Sequence, residues 1–113
     1  MDENLISNLR KNYEKGELLE EKIDKNPFRQ FENWFDEILK SNIYEPNAMI
    51  LATALNNLPS ARVVLLKGFS ENGFKFFTNY LSRKGKELEK NNNAALLFYW
   101  MEFERQVRIE GIV

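Results

Sequence analysis

The sequence predicts a mainly β, α+β fold in which short antiparallel strands with flanking helices form a small barrel or curled sheet. Three observations lead there. At about residue 48 the apolar pattern changes from three- and four-residue spacing to short runs and alternation. Turn signals punctuate the chain beyond that point, at 56–59 (NNLP), 71–73 (ENG) and 91–93 (NNN). The connections between the first three runs are short, so those strands are expected to pair as an antiparallel meander.

Bulk properties bound the function. A chain of 113 residues makes one domain with a core of its own and no room for a second. At 43% hydrophobic residues it is not a disordered chain. Sixteen Lys and Arg against seventeen Asp and Glu give a net charge of −1, which argues against a nucleic-acid binder. Cys and His are absent, which excludes disulfides, cysteine nucleophiles and His-centred triads within the chain and leaves hard oxygen ligands for any metal. No apolar run approaches a membrane span, and the polar N-terminus does not read as a signal peptide, so the expected location is cytoplasmic.

Residues 1–25 are polar. Leu5, Ile6, Leu9 and Tyr13 fall at helical spacing, with Gly16 expected to interrupt the helix. Two readings stand: a mobile arm, or a segment that folds over a ligand with Arg10 and Tyr13 one turn apart on one face. The clearest helix covers 26–41. Asn26 caps it, Pro27 suits its first position, and Phe28, Phe31, Trp34, Phe35, Ile38 and Leu39 form an apolar stripe. Such a stripe suits packing on a sheet better than an exposed stacking platform.

Strands are expected over 48–55 (AMILATAL), 61–68, 73–79, 94–99 (AALLFY) and 105–113, five in all across 48–113. A helix over 82–90 is capped by Ser82 and turns Leu88 inward as its one large apolar residue. In the last strand Gln106, Arg108 and Glu110 alternate with Val107, Ile109 and Gly111, which gives it one polar and one apolar side. Five strands seldom close a barrel alone, so this strand is expected at an open edge that another chain or further strands would cover.

Two sets of residues point to anion chemistry. Arg62 and Lys67 bracket the apolar run RVVLLKG. On a regular strand they would face opposite ways, roughly 16 Å apart at about 3.3 Å per residue, which suits two anionic groups or one ligand anion and one structural ion pair. The second set is Thr78 at a strand end and Ser82, Arg83 and Lys84 at a helix start, where free N–H groups and the dipole favour an anion such as a phosphate. Cations in a first turn are unfavourable unless an anion is present, although a Ser cap beside surface cations has the same sequence. Gln106 offers an amide for a heterocycle.

These residues and their neighbours resemble the pyridoxamine 5′-phosphate oxidase family of FMN-binding split barrels. The resemblance rests on LRKNYEKGEL, NPFRQFENWF, SARVVLLKGFSENGFKFFTNYLSRKGKELEKN and RQVRIEGIV, and extends over essentially the whole chain. It implies an FMN-binding split β-barrel, incomplete here, in a homodimer with FMN (flavin mononucleotide) at the subunit interface. It implies oxidation of pyridoxamine or pyridoxine 5′-phosphate to pyridoxal 5′-phosphate, with electrons passed to oxygen. By resemblance Arg62, Val63, Val64, Leu65, Leu66 and Lys67 line the FMN site, and Lys67 also reaches the substrate phosphate. Phe77 and Thr78 match a Tyr-Thr pair, with the tyrosine hydroxyl lost at Phe77. Ser82, Arg83 and Lys84 match the run that binds the FMN phosphate, and Gln106 matches a glutamine that contacts the flavin. Arg10, Lys11, Asn12 and Tyr13 match a segment that covers the substrate.

Members of the family run on for about as many residues again, and the resemblance places the residues flanking the reacting carbon in that second part. No catalytic residue is therefore assigned in this chain. The chain is expected to carry most of a flavin site and little of a substrate site, with weak or no oxidase activity alone. The alternatives are a non-catalytic module holding FMN or pyridoxal phosphate, or a remnant that associates through its open barrel edge.

Overall fold

A computed structural model describes every residue except Tyr13 and Lys15. The described residues include three α-helices, α1 (Glu3–Ser7), α2 (Pro27–Leu39) and α3 (Arg83–Lys90). Six strands accompany them: β1 (Ala48–Leu55), β2 (Leu58–Leu65), β3 (Gly68–Ser70), β4 (Gly73–Lys75), β5 (Asn93–Trp100) and β6 (Arg105–Ile112). β2-β1-β5-β6 form an antiparallel four-stranded sheet, and β3 and β4 form a separate hairpin. The large sheet is open, with β2 and β6 as its edges.

The expected meander is corrected here. β1 pairs with β2 as expected, but β2 takes no third strand: Gly73–Lys75 pairs with Gly68–Ser70 instead, and the other neighbour of β1 is β5, brought in after α3. The turn is also tighter than expected. Asn56 and Asn57, with φ of 52° and 63°, make a two-residue turn of the kind that matches strand twist. Leu58 and Pro59 therefore belong to β2, where an edge strand tolerates the missing N–H. β2 stops at Leu65, and Gly68–Ser70 folds back on Gly73–Lys75 around Gly73, whose φ is +140°. The strand expected over 73–79 ends at Lys75, so Thr78 lies on the following irregular segment.

α2 begins as its sequence dictates: the Asn26 side chain accepts the Phe28 N–H at 2.9 Å, and Pro27 occupies the first turn. Its stripe packs into the core except at Leu39, which is exposed at the end of the helix. The Phe31 ring lies 4.9 Å from Phe69, 5.0 Å from Phe74 and 5.2 Å from Phe98, in edge-on and tilted contacts that aromatic quadrupoles favour. Met49, Leu51, Leu96, Phe98 and Trp100 complete this core from the inner face of the sheet. The Trp100 indole N–H donates to the Pro46 carbonyl at 3.2 Å, satisfying the one polar atom of the buried ring. The other face of the sheet stays open, leaving Val63 and Tyr99 66% and 58% exposed.

The N-terminal helix is shorter than expected. It ends at Ser7, well before Gly16, and Arg10 lies outside it; the expected pairing of Arg10 with Tyr13 involves a residue outside the described ones. Leu5, Ile6 and Leu9 are exposed. Among the described residues no helix is long and apolar enough to cross a membrane.

Replacing Phe98, which is fully buried among Phe31, Trp100 and Leu51, by Ala leaves a cavity that its neighbours cannot close. The expected loss is about 3–5 kcal/mol of unfolding free energy, read from urea denaturation followed by circular dichroism.

Candidate functional site

The inner face of the β1–β2 hairpin carries a polar cluster beside the aromatic core. Strand periodicity puts Thr53, Ser60 and Arg62 on that face, because Thr53 pairs with Ser60 and Leu51 with Arg62. α3 lies over them and lowers Glu87 into the cluster. Glu87 Oε2 accepts the Thr53 hydroxyl at 2.5 Å, the Ser60 hydroxyl at 2.7 Å and Arg62 Nη2 at 3.4 Å. Its other oxygen, Oε1, accepts Arg83 Nε at 2.8 Å. The Thr53 and Ser60 hydroxyls, with Arg83 beside them, outweigh the penalty of burial and hold the carboxyl down to about 2.

Leu88 faces inward as the one large apolar residue of the helix, and Gly85 and Glu87 are buried beside it. The cluster also decides what Arg62 does. Nη1 donates to the Leu51 carbonyl at 3.0 Å and Thr53 Oγ1 at 2.8 Å, and Nη2 to Ser60 Oγ at 2.7 Å as well as to Glu87. Of the five N–H donors of a guanidinium, only Nε–H has no partner among the described residues. Arg62 is the structural ion pair of the two options its sequence left open.

The start of α3 is differently disposed. Ser82 Oγ accepts the Gly85 N–H at 3.2 Å and donates to the Asn79 carbonyl at 2.6 Å, so this hydroxyl is engaged as a cap. Arg83 is 77% exposed, and Nε is the one guanidinium nitrogen with a partner among the described residues. The backbone N–H groups of Arg83 and Lys84 have no acceptor among the described residues, as first-turn geometry leaves them. Gly85 lets this turn approach the preceding loop: a Cβ there would stand 2.4 Å from the Asn79 carbonyl oxygen and 2.9 Å from Tyr80 Cα. The Thr78 hydroxyl is buried with no partner among the described residues, and it lines a cleft of about 740 Å³ with Phe74, Phe76, Phe77 and Tyr80.

The remaining predicted residues lie apart from this turn. Val63, Val64 and Leu65 are on β2, whose outer edge pairs with no strand among the described residues. Leu66 is buried, and Lys67 is exposed beyond the strand end with its N–H on the Lys75 carbonyl at 2.8 Å. Phe77 is 71% exposed. Gln106 is exposed on β6, at the opposite edge of the sheet from β2. Arg10, Lys11 and Asn12 are exposed, but the segment is tied down close by. Glu104 Oε2 accepts the Glu14 N–H at 2.8 Å, and its Oε1 lies 3.7 Å from Lys11 Nζ. This brings the segment to the start of β6, two residues from Gln106.

These donors match what a flavin nucleotide presents. The free N–H groups and Arg83 at the start of α3 suit a phosphate, the unpaired β2 edge suits a polar-rimmed heterocycle, and the orphan Thr78 hydroxyl lacks a bond that a ligand can supply. Arg62 and Ser82 are engaged elsewhere in the fold. Among the described residues no group of three or more acidic side chains could hold a metal. Sequence reasoning missed Glu87, Thr53, Ser60 and Glu104. The signals for the first three were present: Arg83 and Glu87 stand four apart on a helix, and Ser60 and Arg62 two apart on a strand.

Comparison with known proteins gives a consistent picture. Residues 35–113 match the family described as pyridoxamine 5′-phosphate oxidase. The pyridoxine/pyridoxamine 5′-phosphate oxidase of Bordetella pertussis is 55% identical over 109 residues, covering 96% of this chain and 52% of that protein. That of Rubrobacter xylanophilus is 56% identical over 107 residues, covering 94% and 49%. The chain thus spans about half the length of the curated relatives it matches. Among solved structures, PhzG from Burkholderia lata 383 in complex with tetrahydrophenazine-1-carboxylic acid superposes with a TM-score of 0.77 at 31% identity, over 84% of this chain and 48% of that one. A pyridoxamine 5′-phosphate oxidase-related, FMN-binding protein from Nostoc punctiforme shares the fold with a TM-score of 0.65 at 24% identity, over 77% and 47%.

Two outcomes test the geometry. Because the Glu87 carboxyl is lowered in the folded state, its contribution to stability is fully present above its unfolded value of 4.5 and is lost as pH falls toward 2. Urea titrations between pH 5 and pH 2 should show a steeper fall for the native protein than for Glu87→Gln. Gly85→Ala should lower the thermal midpoint, because the nearest atoms are backbone and must move to admit a methyl group.

Proposed function

This chain belongs to the pyridoxamine 5′-phosphate oxidase family, and on that premise we propose that it is the flavin-holding part of an FMN-dependent oxidase. Its substrates in this reading are pyridoxamine and pyridoxine 5′-phosphate, its product is pyridoxal 5′-phosphate, and oxygen takes the electrons. The observation that carries the reading is identity of 55% over 96% of the chain to a protein named for that activity. The 31% identity to PhzG supports the same fold with a different bound molecule, and is the weaker guide to substrate.

FMN, when bound, supplies the acceptor for the hydride leaving the substrate's amine- or alcohol-bearing carbon. The chain's own residues bind and orient. Arg83, Lys84 and the free N–H groups of α3 hold the flavin phosphate, where charge-assisted bonds are strongest. The β2 edge at Val63–Leu65 and the Thr78 hydroxyl contact the ring system. Lys67 presents an exposed ammonium to the substrate phosphate, and the segment Arg10–Asn12, anchored at Glu104 two residues from Gln106, covers the substrate on the flavin that Gln106 reaches.

Gln106 needs a second copy of the chain. Three inter-strand steps separate β6 from β2, roughly 14 Å at about 4.8 Å each, so one flavin lying on the β2 edge does not meet Gln106 of the same copy. We assign its contact to the flavin of a partner subunit, which makes the functional unit a homodimer. The exposed Val63, Ile50 and Tyr99 on the outer sheet face support this, as an apolar surface that a second copy would bury.

A flavin-holding module without turnover is the second reading, favoured by the free N–H groups and exposed Arg83 at the start of α3, which suit a phosphate whether or not a substrate site is present. The two are separated by measuring oxygen consumption with pyridoxamine 5′-phosphate on protein that has taken up FMN. Turnover supports the oxidase; stoichiometric yellow flavin without turnover supports the module. In either case Arg83→Ala should weaken FMN binding about 10- to 100-fold, from the loss of a charge-assisted bond worth about 1.5–3 kcal/mol, and leave riboflavin binding unchanged. Quenching of flavin fluorescence measures both, and unchanged FMN affinity would remove Arg83 from the phosphate site.

A further inference from the structure

Glu87 is a buried carboxylate that touches neither the flavin nor the substrate in the proposed oxidase. We infer that it is a positioning residue for the flavin phosphate site, fixing the Arg83 guanidinium at the start of α3 through its Nε and leaving both Nη groups unengaged. The inference rests on the reading of this turn as that site.

Exposure is the starting point. Arg83 is 77% exposed, and a long side chain in water samples many rotamers, so binding an anion with it ordinarily carries an ordering penalty. One contact to Nε removes most of that freedom while sparing the two Nη groups, which fork onto phosphate oxygens. A carboxylate serves as such an anchor only if it is itself held. Glu87 is 5% exposed, and its second oxygen is fixed from the hairpin by Thr53, Ser60 and Arg62. Arg62 also offsets the carboxylate charge. Two guanidinium groups share one carboxylate, so the cluster keeps a net positive charge on the side where Arg83 emerges.

The chain of contacts therefore runs from hairpin to carboxylate to Arg83. Gly85 seats the same turn on the Asn79–Tyr80 backbone, next to the segment bearing Thr78. Local sequence at the helix start does not supply this anchor: Ser82 is taken up by the cap, and Lys84 Nζ stands 3.5 Å from Ser82 Oγ.

The test is a double-mutant cycle on the 113-residue chain, reading FMN and riboflavin affinities by fluorescence quenching. Glu87→Gln should weaken FMN binding about tenfold, the scale of ordering one long side chain, and leave riboflavin within about twofold. In an Arg83→Ala background the same substitution should change FMN binding by less than about twofold. A loss shared equally by FMN and riboflavin, or one that persists without Arg83, would mean that Glu87 acts only through overall structure, and the inference fails. If circular dichroism shows Glu87→Gln unfolded, Ser60→Ala loosens the same carboxylate more gently. It should give the same pattern at about two- to threefold, and equal loss of both flavins again overturns the idea. Native protein that takes up no FMN would instead overturn the flavin reading itself, so the two failures are distinguishable.

Discussion

A carboxylate sealed between a helix and a hairpin is the constraint on which the site depends. Burial of an ionised Glu87 is tolerable only because two hydroxyls and two guanidinium groups satisfy it. Those partners come from β1, β2 and α3, so the requirement to match one charge sets the helix at a defined height and angle over the hairpin. The N-terminus of α3, with its free N–H groups and Arg83, is aimed as a consequence. The Thr53 and Ser60 hydroxyls and Arg83 favour the ionised form, which holds the carboxyl well below the usual carboxylate range.

The aromatic core supplies the rest of the frame by a different kind of force. Phe31 on α2 meets Phe69 and Phe74 on the small hairpin and Phe98 and Trp100 on β5, so one residue gathers three elements by contact geometry and apolar burial alone. This places the small hairpin against the inner face of the large sheet and sends residues 76–82 back toward α3. The polar cluster and the aromatic core lie side by side on the same face. The opposite face of the sheet is uncovered, with Val63 and Tyr99 exposed on it.

Much of the local structure was legible in the sequence because it depends on neighbours only a few residues away. Asn26 and Pro27 start α2, Ser82 starts α3, and alternation along β6 puts Gln106 outside and Val107 inside. The meander failed because a short connection favours neighbouring strands without enforcing them, and Gly73–Lys75 pairs with Gly68–Ser70 rather than with β2. The extent of β2 was misjudged because Pro59 reads as a turn residue, while two left-handed asparagines had already completed the turn. The site was legible as a set of residue types but not as a division of labour. Arg62 and Arg83 look alike in the sequence, yet one spends four donors within the fold and the other spends one.

The sequence by itself determined the helix starts, the alternation of the strands, the lack of thiol and imidazole groups in these 113 residues, and a resemblance strong enough to name a flavin and a class of oxidation. Each of these is carried by residue identity and short-range spacing. Only the tertiary structure decided that Arg62 of RVVLLKG is paired with Glu87 and that this run lies on an open strand edge. It also decided that Glu87 stands behind Arg83, that Glu104 ties down the N-terminal segment, and that Gln106 lies a sheet's width from β2. The physical reason is common to all of them: a charged or polar side chain takes its role from the partners that burial forces on it, and those partners are chosen by long-range packing.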